Sequence, residues 1–338
     1  MRIGVDAMGG DYAPREIVRG VVDAAQRAHD DLTLVLIGDE AIVHRELERL
    51  EPVPGGIEVV HASQVIGMNE SPVEAVRTKK DSSIARLVAM AVEGRLDACI
   101  SAGNTGAFVA ASQIRMKLLP EMPRAGIAVV LPSFTGPIVL CDAGANIAPK
   151  PHHLLAYAIT SSAYARYVLR VDRPRVALLS VGQEDVKGTE LVRHAHELLR
   201  ESKGVNFVGN LEGRDLFRGG CDVVICDGFV GNIALKLIEG LAEGLFKTIS
   251  REIALASPEL ARSMEPVVKR VWANHDYAEY GGAPLLGIDG VCIICHGSSE
   301  YVAIRNAVRV ATDYLEHDLN AIISAELAKE PSSESVPQ

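Results

Sequence analysis

Aromatic residues are scarce in this chain of 338 residues: they make up 4% of it, and Trp272 is the lone tryptophan. That argues against a surface built to stack nucleic-acid bases. No basic block is longer than Lys79–Lys80, and the net charge is −10. A chain this acidic is poorly suited to sequence-blind binding of phosphate backbones, so no nucleic-acid partner is expected. No apolar run approaches the ~18 residues that read as a membrane span. Met1 leads straight into an apolar strand and an acidic turn rather than into a leader peptide. The expected compartment is the reducing cytosol, with the six cysteines as free thiols.

Several catalytic signatures are missing too. There is no G-x-x-x-x-G-K-[ST] loop, no G-x-G-x-x-G after a strand, no G-x-S-x-G and no H-E-x-x-H. The usual ATP and dinucleotide sites, the serine-hydrolase elbow and the zinc helix are therefore not signalled. No cofactor and no metal are expected. Cys292 and Cys295 have C-x-x-C spacing but lie in an apolar run that reads as a strand. Residues three apart on a strand point to opposite faces, so packing explains them better than redox or metal chemistry.

What is present is a globular composition, 48% hydrophobic and 23% charged. Short apolar runs alternate with helical patterns. Strands are predicted at Arg2–Asp6, Leu32–Ile37, Ile57–His61, Ala98–Ser101, Ile127–Leu131, Ile138–Cys141, Arg175–Ser180, Asn206–Val208, Asp222–Cys226 and Val291–Cys295. Most are continuously apolar, as strands covered on both faces are. Helices are predicted after Pro14 and over Ser82–Glu93, Thr105–Leu118, His152–Leu169, Thr189–Glu201, Ile233–Ala256, Pro258–Asn274 and Ser299–Lys329. This order predicts an α/β fold, a largely parallel sheet with helices on both sides. Residues 1–329 read as one unit with a helical hairpin at about 233–274, and Glu330–Gln338 as a disordered tail.

Ligands of open α/β sheets bind beyond the carboxyl ends of the strands. There the chain repeats one pattern, glycine with Asp, Asn or Ser before a helix: Asp6–Asp11, Ser101–Gly106, Asp142–Asn146, Asp227–Asn232 and His296–Ser299. One such loop is ordinarily a turn and a helix cap. Several on one expected sheet edge point to a phosphate-sized polar crevice. Asp6, Asp142 and Asp227 each end a strand, as caps or as holders of catalytic loops. Lys187 opens a helix, against the dipole, which suits a solvated residue or one facing an anion. Lys236 follows Asn232 by four residues on one helix face and reads equally as an ordinary amphipathic-helix lysine.

These loops, with Tyr280–Gly287, stand in the order and spacing of the bacterial phosphate acyltransferases of phospholipid synthesis, and the chain resembles that family from Met1 to about Leu327. The resemblance implies a three-layer α/β/α sandwich, similar to isocitrate and isopropylmalate dehydrogenases. It implies transfer of a fatty acyl group from acyl carrier protein to inorganic phosphate, by a homodimer without nicotinamide. The acyl phosphate would serve a membrane glycerol-3-phosphate acyltransferase. A decarboxylating NAD-dependent dehydrogenase of the related fold, or a non-catalytic acyl-carrier or lipid sensor, are the rival assignments.

Under the acyltransferase assignment Lys187 is expected to bind phosphate. Asn232, with the backbone N–H groups of Gly231 and Asn232, is expected at the phosphate or the oxyanion. Asn104, Asn146, Asp227 and Ser298 are further substrate-binding candidates, and His296 is the candidate proton donor to the leaving thiolate. The hairpin tip, with Ile253, Leu255 and Leu260, reads as a peripheral contact with an anionic membrane or as part of a dimer interface.

Overall fold

The computed structural model describes residues 1–28, 31–275 and 280–330, without the side chains of Lys269 and residues 272–275. The predicted tail, beyond Glu330, lies outside the described residues. The chain folds around one 11-stranded sheet. Its strands are β1 (Arg2–Asp6), β2 (Thr33–Gly38), β3 (Ile57–His61), β4 (Ala98–Ser101), β5 (Gly126–Ser133), β6 (Gly136–Cys141), β7 (Arg175–Ser180), β8 (Asn206–Glu212), β9 (Val223–Ile225), β10 (Ala283–Leu286) and β11 (Val291–Ile294). All ten predicted strands are present. β10 is the addition, four residues hidden between glycines.

The helices are α1 (Arg15–Arg27), α2 (Glu40–Glu48), α3 (Pro72–Thr78), α4 (Ser83–Val92), α5 (Thr105–Arg115), α6 (Pro151–Tyr167), α7 (Glu190–Glu201), α8 (Gly228–Ala256), α9 (Pro258–His275), α10 (Tyr301–Glu316) and α11 (Leu319–Leu327). α2 and α3 were not predicted. The single helix expected over Ser299–Lys329 is two, broken at Asp318, whose φ of 46° is left-handed.

Two apolar layers sandwich the sheet, and alternation along each strand feeds both. Leu34 and Leu36 belong to the core that also takes in α1, α6, α7, α10 and α11, whereas Val35 and Ile37 belong to the one that takes in α3, α4 and α5. The three-layer α/β/α architecture follows. Cys295 belongs to the first core and Cys292 to the second, so the C-x-x-C pair does face opposite ways. All six cysteines are free and buried.

The strand order is β3-β2-β1-β4-β11-β10-β5-β6-β9-β7-β8. Three successive pairings in the middle, β11 with β10, β10 with β5 and β5 with β6, are antiparallel. Three reversals leave β6, β9, β7 and β8 running opposite to β1, β2, β3, β4 and β11. The expectation that all the glycine-rich loops share one sheet edge is therefore corrected. The loops after β1, β4 and β11 lie on one edge, and those after β6, β9 and β7 open on the other. Stagger narrows the gap between them: Ala128 of β5 pairs with Cys141, the last residue of β6.

α8 spans 29 residues yet buries only Gly228, Gly231 and Leu235. Ile233, Leu237, Leu241, Leu245 and Ile249, one per turn, stand exposed along it. With α9 it forms a helical hairpin. Among the described residues no helix is long and apolar enough to cross a membrane.

Candidate active site

On the first edge, Asp6 ends β1 fully buried and accepts hydrogen bonds from Ser101 Oγ at 2.7 Å and the Met8 amide at 3.1 Å. Burial raises its pKa against the pull of those donors. Glycine is required beside it: a Cβ on Gly9 would sit 2.6 Å from the Gly103 nitrogen. The Asp11 amide donates to the Gly297 carbonyl at 2.7 Å, joining the loops after β1 and β11. Asn104 caps α5 through Oδ1, and its Nδ2 faces the carbonyls of Gly67, Met68 and Glu70 at 3.1–3.2 Å. Its amide is committed to holding the 67–70 loop.

On the second edge, Asp142 is buried and accepts four backbone amides, from Ile127, Gly144, Ala145 and Asn146, at 2.6–3.0 Å. Burial nonetheless holds its pKa above the ordinary carboxylate value. Asn146 donates to the Ala125 carbonyl and the Tyr157 hydroxyl, each at 2.7 Å. Asp227 caps α8, accepting from the Phe229 and Val230 amides. The cap starts the helix at Gly228, earlier than predicted. In consequence the Gly231 amide donates to the Asp227 carbonyl at 2.9 Å, and Gly228 donates to the Asn146 carbonyl at 2.8 Å. The expectation of a Gly231 N–H directed at phosphate is corrected: the cap consumes it. Gly231 matters for space, because a Cβ there would overlap the Asp142 carbonyl.

α8 then carries Asn232 and Lys236 back towards the first edge. Asn232 Nδ2 donates to the Ala143 carbonyl at 3.1 Å. Lys236 Nζ lies 2.7 Å from His296 Nε2 and 2.8 Å from Glu239 Oε2. His296 Nδ1 lies 2.7 Å from Ser298 Oγ. The His296 pKa is lowered, first by burial and then by the Lys236 charge, with Glu239 and Asp11 opposing. The arrangement consistent with that direction is a neutral imidazole. Its Nε2 faces the Lys236 ammonium, and its Nδ1 faces both the Ser298 hydroxyl and the Ser298 backbone N–H, which donates to it at 3.2 Å.

Behind this pair lies a cavity of about 180 Å³, walled by β5, α8, β10, β11 and α10. Asn232, Lys236, His296 and Ser299 line it, together with apolar side chains. Cys295 also borders it, but burial pushes its thiol up to about 12, which denies it a thiolate at neutral pH. Lys187 sits elsewhere, exposed on the loop after β7, and does not line the cavity. Its loop is braced by the buried His196, whose Nδ1 lies 2.9 Å from Asn210 Oδ1 and Nε2 3.4 Å from Asp185. Asn210 Nδ2 in turn donates to the Glu184 carbonyl at 2.9 Å.

The structure thus gathers Asn232 and His296 at one cavity, with Ser298 joined to it through His296. Asn104 and Asn146 sit at the two loop edges, and Lys187 lies two strands from β6. Sequence reasoning left Lys236 undecided, and its four-residue spacing from Asn232 was the available signal. His196 gave none.

A family model described as "Fatty acid synthesis protein" matches residues 1–322. A phosphate acyltransferase of Pelotomaculum thermopropionicum is 48% identical over 94% of this chain and 93% of its own length. A phosphate acyltransferase of Halothermothrix orenii is 44% identical over 98% and 99%. Among solved structures, a phosphotransacetylase from Streptococcus pyogenes superposes with a TM-score of 0.61 over 94% of both chains at 16% identity, which shows a shared fold. With identity of this extent along nearly the whole chain, the protein belongs to the phosphate acyltransferase family of enzymes.

Proposed function

We propose that the protein transfers a fatty acyl group from the thioester of acyl carrier protein to inorganic phosphate. The observation that carries this reading is the line Ser298–His296–Lys236, whose last two members line a mostly apolar cavity. It sets a proton source beside a place for an oily acyl group, in a chain whose relatives are named phosphate acyltransferases. Phosphate is itself the nucleophile, so no acylated serine or cysteine is needed. A phosphate oxygen attacks the thioester carbonyl, the carbon–sulfur bond breaks, and the carrier leaves as a thiolate that takes a proton from the Lys236–His296 pair. The product is acyl phosphate. Orienting two bound reactants lowers such a barrier by about 7–11 kcal/mol, and one oxyanion donor by about 2.7–4 kcal/mol.

In this mechanism Asn232 holds the phosphate at the cavity, and Lys187, outside the cavity on the loop after β7, supplies a further positive charge for it. Asn104, Asn146 and Asp227 act through the loops they fix, and Ser298 orients His296. The enzyme works as a homodimer in the cytoplasm, and the apolar stripe of α8 supports a second copy there. The hairpin tip at Ile253, Leu255 and Leu260 touches anionic membrane, where a glycerol-3-phosphate acyltransferase consumes the product. Mixing acyl carrier protein thioester with phosphate and following free thiol tests the reaction. Release should require phosphate, and Lys187→Ala, Asn232→Ala and His296→Ala should each slow it at least tenfold. Release that ignores phosphate overturns the proposal.

A further inference from the structure

We infer that the cavity behind Lys236 and His296 is the subsite for the first methylenes of the acyl chain, those nearest the reacting carbonyl. The inference rests on the acyl-transfer reading above and adds where the chain goes. Much of the wall is apolar: Ile127, Val129, Leu235, Ala283, Ile294 and Ala303. The hydrogen-bonding groups named at the site, Asn232, Lys236 and His296, gather at α8 and the loop after β11. Thr105, Glu239, Tyr280 and Ser299 add polar groups to the lining, but most of its surface is apolar, which suits a carbonyl with an alkyl tail. Phosphate or a sugar would leave its hydroxyls unpaired against those walls.

Size narrows the assignment. About 180 Å³ is less than the ~300–1,000 Å³ of pockets that engulf a whole drug-sized ligand. The cavity therefore takes the carbonyl-proximal part of a long chain and leaves the remainder outside. Discrimination should then act on the first few carbons. One methylene more or less in an apolar pocket changes specificity by roughly 10–200-fold.

Ala303 tests this from α10. It is buried at 4% exposure and borders the cavity without touching the polar mouth's hydrogen bonds. Thiol release is measured with acetyl and octanoyl carrier protein, at saturating phosphate, and the ratio of their kcat/KM values is taken. Ala303→Leu fills the cavity and should lower the octanoyl-to-acetyl ratio at least tenfold. Ala303→Ser changes one atom, keeps the volume within a hydroxyl, and should lower the ratio about threefold by setting a polar group beside the chain. Circular-dichroism melting confirms that each variant is folded. If the leucine variant fails to fold, the serine variant decides. An unchanged ratio in folded variants, or equal loss with both donors, overturns the subsite. Absence of phosphate-dependent release from either donor in the unsubstituted protein instead overturns the acyl-transfer reading beneath it.

Discussion

α10 and α8 are both apolar helices, yet they spend that character in opposite ways. α10 buries residues at every turn from Ala303 to Tyr314, between α1 and the sheet. α8 is nearly twice as long, 29 residues against 16, and is anchored only at its root by Gly228, Gly231 and Leu235. Beyond the root Leu237, Leu241, Leu245 and Ile249 project into solvent. The contrast separates two uses of hydrophobicity. In α10 it stabilises the single chain. In α8 it is held in reserve for something outside the chain, while the root alone delivers Asn232 and Lys236 to the cavity.

The largest effect should come from breaking that root. Asp142→Ala removes the acceptor of four backbone amides, that of Ile127 buried and the others part-buried, and a buried group left unpaired costs about 1–3 kcal/mol. Urea unfolding should show a loss of several kcal/mol. An unchanged midpoint would mean that the second edge is not what supports α8. Next comes the body. Ile304→Ala, at a fully buried position, should cost about 2–5 kcal/mol in the same measurement. At the junction of the two regions, His296 should titrate below its ordinary value of 6.5. The Lys236 charge disfavours the imidazolium, so Lys236→Met should move the His296 pKa upward. Nuclear magnetic resonance of the ring carbons reads this directly, and a downward or absent shift breaks the pairing. The smallest effect belongs to the hairpin. Leu245→Ala, at 52% exposure, should change the stability of the isolated chain by less than about 0.5 kcal/mol. A loss as large as that at Ile304 would show that α8 is packed after all.

Much of the fold was legible because parallel strands buried on both faces announce themselves as unbroken apolar runs. β10 was not, since four residues between glycines carry too little pattern. Missing β10 also hid the reversal of the sheet, because strand direction depends on the parity of pairings and not on any residue. The strand-end loops were legible as caps and turns, and Asp227 and Asn104 do cap helices. What the loops do with their amides was not legible, since the carbonyls that engage Asn104 and Asn146 lie 21–37 positions away in the chain. The Lys236–His296 pair spans 60 positions and required knowing which loop α8 crosses.

The place of β11 in the sheet has a consequence for synthesis. β4 pairs with β1 on one side and with β11 on the other. During translation its second edge stays open until residues 291–294 have emerged, almost at the end of the chain. β5 likewise waits for β10. The nascent chain therefore carries two unsatisfied strand edges through most of its production, the condition under which strands pair with wrong neighbours. Contacts of such long sequence separation also close slowly. The last sixth of the chain, which supplies His296 and Ala303 to the cavity, is also the keystone that joins the two halves of the sheet.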